Sequence, residues 1–395
     1  MSGRAAVAFG AGLIAMLCAG LWIGGHPAKM PPPLRDVFVD DSAGLTAEAT
    51  ELIEDHYYRE VDEDSLTNGS LRGMVRDLRL RHHDRVSEYF SPKLLEYFNE
   101  AISGRFSGVG LTVTQVPRGL HATQVFPKSP AKRAGIEPGD VIVSVDSESL
   151  AGKSSEAATA KIKGPEGTDV VLGVLDADTG KVRRLTLTRE EIAVPVVAGK
   201  VMRENGRRLG HVRLASFSEG AHAALRHAVE KVEKKGAEGI VLDLRGNGGG
   251  LLEEAVLTAS TFLPEDEVVV STRSRTEGDA VYRTVGGNLP ERPVVVLIDR
   301  NTASAAEILT AALADDAGAP VVGTRSYGKG VFQQEVGLSN GGALKLTTGE
   351  YFTPKGVNLA GKGIHPDVEA RDLPGTPKDE ALERALEVLS AQPSP

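Results

Sequence analysis

Apolar residues recur along this chain at three different spacings, and each predicts a different kind of structure. From Thr46 to Ile102 they return every third or fourth position. Leu52, Ile53, His56 and Tyr57 share a face, then Leu66, Leu71, Met74, Val75 and Leu78, then Leu94, Leu95, Phe98 and Ile102 after the helix-starting Ser91-Pro92-Lys93. That period predicts helices with an inward apolar face. From Phe106 to Ile192 the runs shorten and predict strands over 110–116, 122–125, 140–145, 170–175 and 183–188, with a short capped helix at 129–135 and a turn at Glu137-Pro138-Gly139-Asp140. From Pro195 onward, strands and helices alternate. Strands are expected at 209–214, 239–244, 268–270, 294–298, 344–348 and 350–353. Helices are expected at 219–235, 251–263, 305–314 and 379–389, with Leu225, Val229 and Val232 inward on the first. Alternation of this kind predicts a sheet covered by helices.

Length and composition divide the chain further. Its 395 residues, 41% of them apolar, are too many for one core. The expected organisation is a targeting segment 1–25, a Pro-containing linker 26–45, a helical arm 46–105, a small β-rich module 106–192, an α/β domain 193–375 and a C-terminal helix and tail 376–395. The formal charge of −9, with no dense basic run, gives no reason to expect a nucleic-acid partner. The single cysteine, Cys18, rules out an intrachain disulfide and a cysteine-based metal site. Ala5 to Gly25 contains no charged residue, and 25 − 5 + 1 = 21 residues suffice to cross a bilayer as a helix. Arg4 precedes it and Trp22 sits near its far end, as an interfacial anchor would. An uncleaved membrane anchor is favoured over a cleaved signal peptide, with the remainder in the cell envelope outside the cytoplasm.

Candidate chemistry gathers at a strand-to-helix junction. The apolar run Val294-Val295-Val296-Leu297-Ile298 feeds the turn Asp299-Arg300-Asn301-Thr302, and Ser304 stands where the next helix begins. A hydroxyl there lies beside unpaired N–H groups at the positive end of a helix dipole, a setting for a nucleophile and a developing oxyanion. The plainer reading is that Ser304 or Thr302 is only an N-cap. Lys329 follows, held between Gly328 and Gly330, with Gln333 four residues beyond it. A desolvated lysine can act as a serine's base. The run Gly246-Asn247-Gly248-Gly249-Gly250 resembles a dinucleotide-binding turn, but its third glycine position falls on Leu251. Gly323 to Lys329 nearly spells a phosphate-binding loop, but Gly330 replaces the Ser or Thr that would hold magnesium. His211, His222, His227 and His365 are the candidates for a Ser-His-Asp triad, and none has the placement of Lys329. The adjacent His82 and His83 show no metal-ligand spacing.

Taken together, Asn301-Thr302-Ala303-Ser304-Ala305-Ala306-Glu307 and Gly323-Thr324-Arg325-Ser326-Tyr327-Gly328-Lys329-Gly330 with Gln333 resemble the motifs of the carboxy-terminal processing peptidases, or tail-specific proteases. The spacing, 329 − 304 = 25 residues, and the late Gly363-Ile364-His365-Pro366-Asp367-Val368 also look like that family. The resemblance implies a multidomain α/β protein: a crotonase-like or ClpP-like catalytic domain, a PDZ domain and a helical N-terminal arm. It implies a serine endopeptidase in which Ser304 is nucleophile, Lys329 base and Gln333 its orienter. One glycine N–H of 246–250 would pair with that of Ala305 as oxyanion donors; Gly249 is the choice, with Gly248 the near alternative. Gly108-Val109-Gly110-Leu111 looks like the PDZ loop that receives a peptide's terminal carboxylate, beside a strand edge able to accept another strand. The expected partners are proteins with free C-termini, the membrane, and a second copy through the arm; no cofactor or metal is needed. His83-Asp84-Arg85-Val86-Ser87-Glu88-Tyr89 departs from the Asp-Pro turn common there. The alternative of another class is a catalytically silent PDZ scaffold that binds protein tails.

Overall fold

The computed structural model describes residues 41–373 and 375–393. The expected anchor, Ala5 to Gly25, lies outside them. Among the described residues no helix is long and apolar enough to cross a membrane. The described residues form two compact units, 41–92 with Glu335–Leu346, and Lys93–Gln334 with 347–393.

In the first unit, helices α1 (Asp41–His56) and α2 (Glu63–His82) precede a short strand β1 (Glu88–Phe90). Asp62 caps α2 by accepting the Ser65 N–H at 3.0 Å. β1 pairs antiparallel with Ala343, Leu344 and Lys345, and the Tyr89 hydroxyl donates to Asn68 at 2.6 Å and accepts from Asn340 at 3.0 Å. Among the described residues, little covers the inward face expected on these helices. Leu52, Ile53, Met74 and Leu78 are 51%, 42%, 59% and 38% exposed, and on α2 only Val75 is buried. Periodicity specifies that an apolar face exists; it does not specify what covers it.

The second unit begins with α3 (Pro92–Ser103) and the β-rich module. Strands β2 (Arg105–Gly108), β3 (Leu111–Val116) and β4 (Gly119–Val125) lead to α4 (Pro130–Arg133). Then come β5 (Val141–Val145), β6 (Glu148–Ser149), α5 (Ser155–Ile162), β7 (Asp169–Leu175), β8 (Val182–Thr188) and β9 (Glu190–Ala193). The sheet runs β3-β4-β5-β7-β8, with β6 paired to β5, around buried Leu120, Ile136, Ile142, Leu150, Val170 and Leu172. β2 and β9 pair antiparallel, Arg105 opposite Ala193, so the chain enters and leaves this module side by side. Helix α5 was not expected from the sequence. Ser154 caps it by accepting the Ala157 N–H, which is its one local start signal.

The α/β part contains β10 (Val197–Glu204), β11 (Arg207–Leu214), α6 (Ala221–Glu233), β12 (Ile240–Asp243), α7 (Leu252–Ala259), β13 (Val268–Ser274), β14 (Ala280–Arg283), β15 (Val294–Ile298), α8 (Ala305–Asp316) and β16 (Val321–Gly323). It continues with β17 (Val331–Gly337), β18 (Ala343–Phe352), β19 (Val368–Glu369) and α9 (Glu380–Ser390). The main sheet runs β10-β11-β12-β15-β16-β19, parallel from β11 onward, with β10 as an antiparallel edge. β15 is apolar throughout, and β12 is apolar up to its last residue, Asp243, because both faces are covered. Leu242, Val296 and Ile298 face α6, α7 and α8, whereas Val241, Val295 and Leu297 face Leu382, Ala385, Leu386 and Leu389 of α9. The two late strands expected at 344–348 and 350–353 are one strand, β18. Pairing with β13 reaches Gly349, opposite Ser274 where β13 ends, and β18 itself continues on both sides of that glycine. A glycine inside a strand marks a turn only when the strand stops there.

Candidate active site

β15 ends at Ile298, and the following turn is knotted rather than loose. Asp299 Oδ1 accepts the N–H groups of Asn301 and Thr302 at 3.0 Å each and that of Gly246 at 2.9 Å. The Thr302 hydroxyl donates to the Leu244 carbonyl at 2.9 Å. Thr302 is thereby spent on joining two loops, and it does not cap the helix. Ser304 occupies the position before α8 with φ 56° and ψ −122°. Ordinary N-caps are extended, so this conformation is strained for a residue with a Cβ, and strain of that kind clusters at functional sites.

Glu307, one turn into α8, has no exposed surface and accepts four hydrogen bonds. Its Oε2 takes the Ser304 N–H and the Lys329 N–H, both at 2.9 Å. Its Oε1 takes the Gly328 N–H at 2.7 Å and the Ser326 hydroxyl at 2.5 Å. One carboxylate therefore fixes the backbone of the serine and of the lysine together. Tyr327 N–H adds a bond to the Thr302 carbonyl at 3.0 Å. Lys329 is half-buried, and a strand follows it rather than the helix a phosphate-binding loop requires. Gln333 lies on β17; its amide nitrogen is buried and makes no hydrogen bond.

The glycine loop after β12 closes the other side. Asn247 is fully buried, donates from its amide to the Leu214 carbonyl at 2.9 Å, and accepts the Ala303 N–H on its backbone oxygen at 3.0 Å. Gly249 (φ +101°) touches the Ser304 segment: a Cβ there would lie 2.8 Å from Ser304 Cβ and 3.0 Å from the Ala305 nitrogen. Only glycine allows that approach. The Gly249 N–H donates to Asn247 Oδ1 at 2.9 Å, so this expected oxyanion donor already has an internal acceptor. Ala305 begins α8, where the first N–H groups have no partner within the helix.

Comparison with known proteins agrees with this architecture. The family model described as peptidase family S41 matches residues 208–370, and a PDZ domain model matches residues 121–189. Carboxy-terminal processing protease CtpA of Bacillus subtilis (strain 168) is 34% identical over 326 residues, which are 82% of this chain and 68% of that protein. The chain belongs to the carboxy-terminal processing proteases. It is also similar to CtpB of the same organism, 32% identical over 83% of this chain and 68% of that one. A probable CtpA-like serine protease of Staphylococcus aureus (strain N315) is 35% identical over 84% and 64%. A putative S41 protease from Bacteroides fragilis superposes with a TM-score of 0.50 at 19% identity, covering 81% of this chain and 90% of that one; it bears on the fold alone.

The protease is thus a serine-type endopeptidase with a PDZ domain, of mixed α/β architecture. In the β-rich module, just ahead of the residues matched as PDZ, the carbonyls of Val109 and Gly110 accept N–H groups from Ala131 and Phe126 at 2.9 and 3.0 Å. Because each peptide is planar and trans, the N–H groups of Gly110 and Leu111 point the opposite way. They face a groove of about 490 Å³ between β3 and α5, lined by Phe106, Val109, Leu111, Phe126 and Ile162. β3 is the terminal strand of its sheet, with an edge able to accept another strand. Lys163, at the end of α5, pairs with Glu100 of α3 and lies over the Tyr97 and Phe106 rings.

Two of the candidate histidines are engaged elsewhere. His222 shares its Nδ1 with Glu254 at 2.8 Å, and His211 its Nε2 with Asp243 at 3.0 Å. Asp243 ends β12 and also meets Arg245, whose guanidinium grips Asp379, the cap of α9, at 2.7 and 2.9 Å. Burial works to raise the Asp243 pKa, but hydrogen bonds from His211 and Arg245 and the Arg245 charge outweigh it and hold the carboxyl well below its usual range. Sequence reasoning missed this pair and did not assign Glu307 a role. The signal for Glu307 was present: Ser304-Ala305-Ala306-Glu307 has the spacing in which a third-position carboxylate returns to the cap N–H.

Proposed function

We propose that the protease cleaves envelope proteins delivered by their free C-termini, through an acyl-enzyme formed by a Ser304–Lys329 dyad. The observation that carries this reading is Glu307, which binds the Ser304 and Lys329 N–H groups with one oxygen. A helix cap has no need of a lysine loop on the same carboxylate. Neutral Lys329 takes the Ser304 hydroxyl proton as Oγ bonds to the peptide carbonyl carbon, and the π pair moves onto oxygen. Ala305 N–H holds that oxyanion, together with Gly249 N–H once it exchanges Asn247 Oδ1 for the stronger, charged acceptor. Lys329 then gives its proton to the leaving amine, and water releases the acyl group by the reverse use of the same base. Gln333, with its unpartnered amide nitrogen, orients the lysine segment.

The tail adds as a strand to β3, with its carboxylate at the Gly108–Leu111 turn. The uncharged Ala5 to Gly25 segment supports placement at the membrane, and the exposed apolar residues of α1 and α2 support a homodimer through the arm. The test is cleavage of an unstructured protein by the full chain carrying Ser304→Ala, Lys329→Ala or both. Each single variant should lose activity while staying folded, and the double variant should be no worse, because the two residues act as a unit. Normal turnover by folded Lys329→Ala would refute the dyad. No cleavage by the unmutated chain would leave the tail-binding scaffold as the reading.

A further inference from the structure

Tyr351, on β18, is 2% exposed and packs among the core residues of the α/β part. Its backbone belongs to the lysine loop. The N–H donates to the Gly330 carbonyl at 3.1 Å, and Asn358 Nδ2 bridges the Tyr351 and Gly330 carbonyls at 3.0 and 2.8 Å. The side chain crosses to the other half of the site: its hydroxyl lies beside the Ser304 side chain and near the Glu307 carboxylate. That hydroxyl is buried and makes no hydrogen bond of acceptable geometry. Buried hydroxyls are almost always paired, and an unpaired one is costly. Phenylalanine would fill the same space without that cost, so the fold gains nothing from the oxygen.

We propose that Tyr351 is a further catalytic residue of this centre, its phenol O–H donating to Ser304 Oγ as that oxygen loses its proton and attacks. This rests on Ser304 being the nucleophile. The Ser304 proton goes to Lys329, the new bond joins Oγ to the carbonyl carbon, and Tyr351 keeps its own proton throughout. A donor aimed at an oxygen that gains negative charge stabilises the transition state more than the ground state. Catalytic hydrogen bonds are commonly long or misaligned before substrate arrives and tighten as charge develops, which accounts for the unpaired hydroxyl in the free protein. Burial first, and the Glu307 charge second, push the phenol pKa well above its ordinary value, although the Ser304 side chain pulls it the other way. The group therefore remains a donor at neutral pH and does not compete with Lys329 as a base.

The test is Tyr351→Phe in the full chain, beside Ser304→Ala, with steady-state cleavage of a fluorogenic peptide, the rate of labelling by a serine-directed phosphonate, and a thermal unfolding curve. The expected result is a kcat lowered roughly a hundredfold to a thousandfold, the range for removal of one positioned donor. KM should stay within about twofold and labelling should slow in parallel, since both depend on Oγ attack. The unfolding temperature should hold or rise, because an unpaired hydroxyl has been removed from the core. A kcat within about twofold of the parent, with Ser304→Ala inactive, would overturn the role of Tyr351 while leaving the serine reading intact. A loss of activity matched by a lower unfolding temperature would make Tyr351 a packing residue and also overturn the proposal. Full activity in Ser304→Ala would remove both.

Discussion

Replacing Glu307 by glutamine isolates the chemistry of the clamp from its shape. The carboxylate accepts from four donors and offers none in return: Ser304 and Lys329 N–H on one oxygen, Gly328 N–H and the Ser326 hydroxyl on the other. Glutamine turns one of these oxygens into an NH2 donor. Its least costly orientation places the NH2 toward Ser326, whose hydroxyl can rotate to accept. The Gly328 N–H then has no partner, and the two bonds to Ser304 and Lys329 drop from charged to neutral acceptors. Hydrogen bonds to charged groups contribute about 1.5–3 kcal/mol and neutral ones about 0.5–1.5, so two weakened bonds and one lost bond amount to about 3.5–6 kcal/mol. For a unit of this size that corresponds to an unfolding midpoint lower by on the order of 10 °C. Gly328 carries Lys329, the proposed base, and misplacing a catalytic group by about 1 Å costs on the order of a hundredfold in rate. Differential scanning fluorimetry and cleavage of an unstructured protein on the same preparation read both effects. Glu307→Gln with an unfolding midpoint within about 2 °C of the parent and undiminished kcat would refute the clamp.

Other consequences can be checked separately. The folded-state pKa of Asp243 is depressed, so its contribution to stability is present above the unfolded value of about 3.9 and is lost as pH falls through and below it. Denaturant unfolding from pH 7 to pH 3 should show that decline, and it should be shallower in Asp243→Asn, which should cost about 3–5 kcal/mol at neutral pH by leaving Arg245 half-buried against one partner fewer. A wild-type stability flat across that range would contradict the network. At the PDZ groove, amidating a tail peptide should weaken binding by roughly 1.5–3 kcal/mol, since a donor then meets the Gly110 and Leu111 N–H groups. Gly110→Val should mimic the loss, because a Cβ there would lie 2.2 Å from Ser129 Cβ at φ +84°. Equal affinity for free and amidated tails, measured by fluorescence anisotropy, would remove carboxylate recognition.

Much of this protein is legible one segment at a time. The run Val294 to Ile298 is apolar at every position, which suits only a strand covered on both faces, and Ala305 onward is built from strong helix formers. Ser304 at their junction, Lys329 between glycines, and the glycine loop at 246–250 all follow from backbone preferences that neighbours in sequence impose. The turn at Gly108–Leu111 beside an edge strand is local in the same sense. What joins these pieces is not local. Glu307 reaches Gly328 and Lys329 across 21 and 22 residues, and Asn247 meets Ala303 from a different strand end. Tyr351, 351 − 304 = 47 residues beyond Ser304, arrives beside it only because β18 carries it there. The parallel register of β12 against β15 sets two loop ends side by side, and that register arises from burial on both faces of the sheet, summed over the whole core. The arm shows the converse. Its helical period is plain in the sequence, but what its apolar face meets depends on surfaces that no periodicity within the arm encodes.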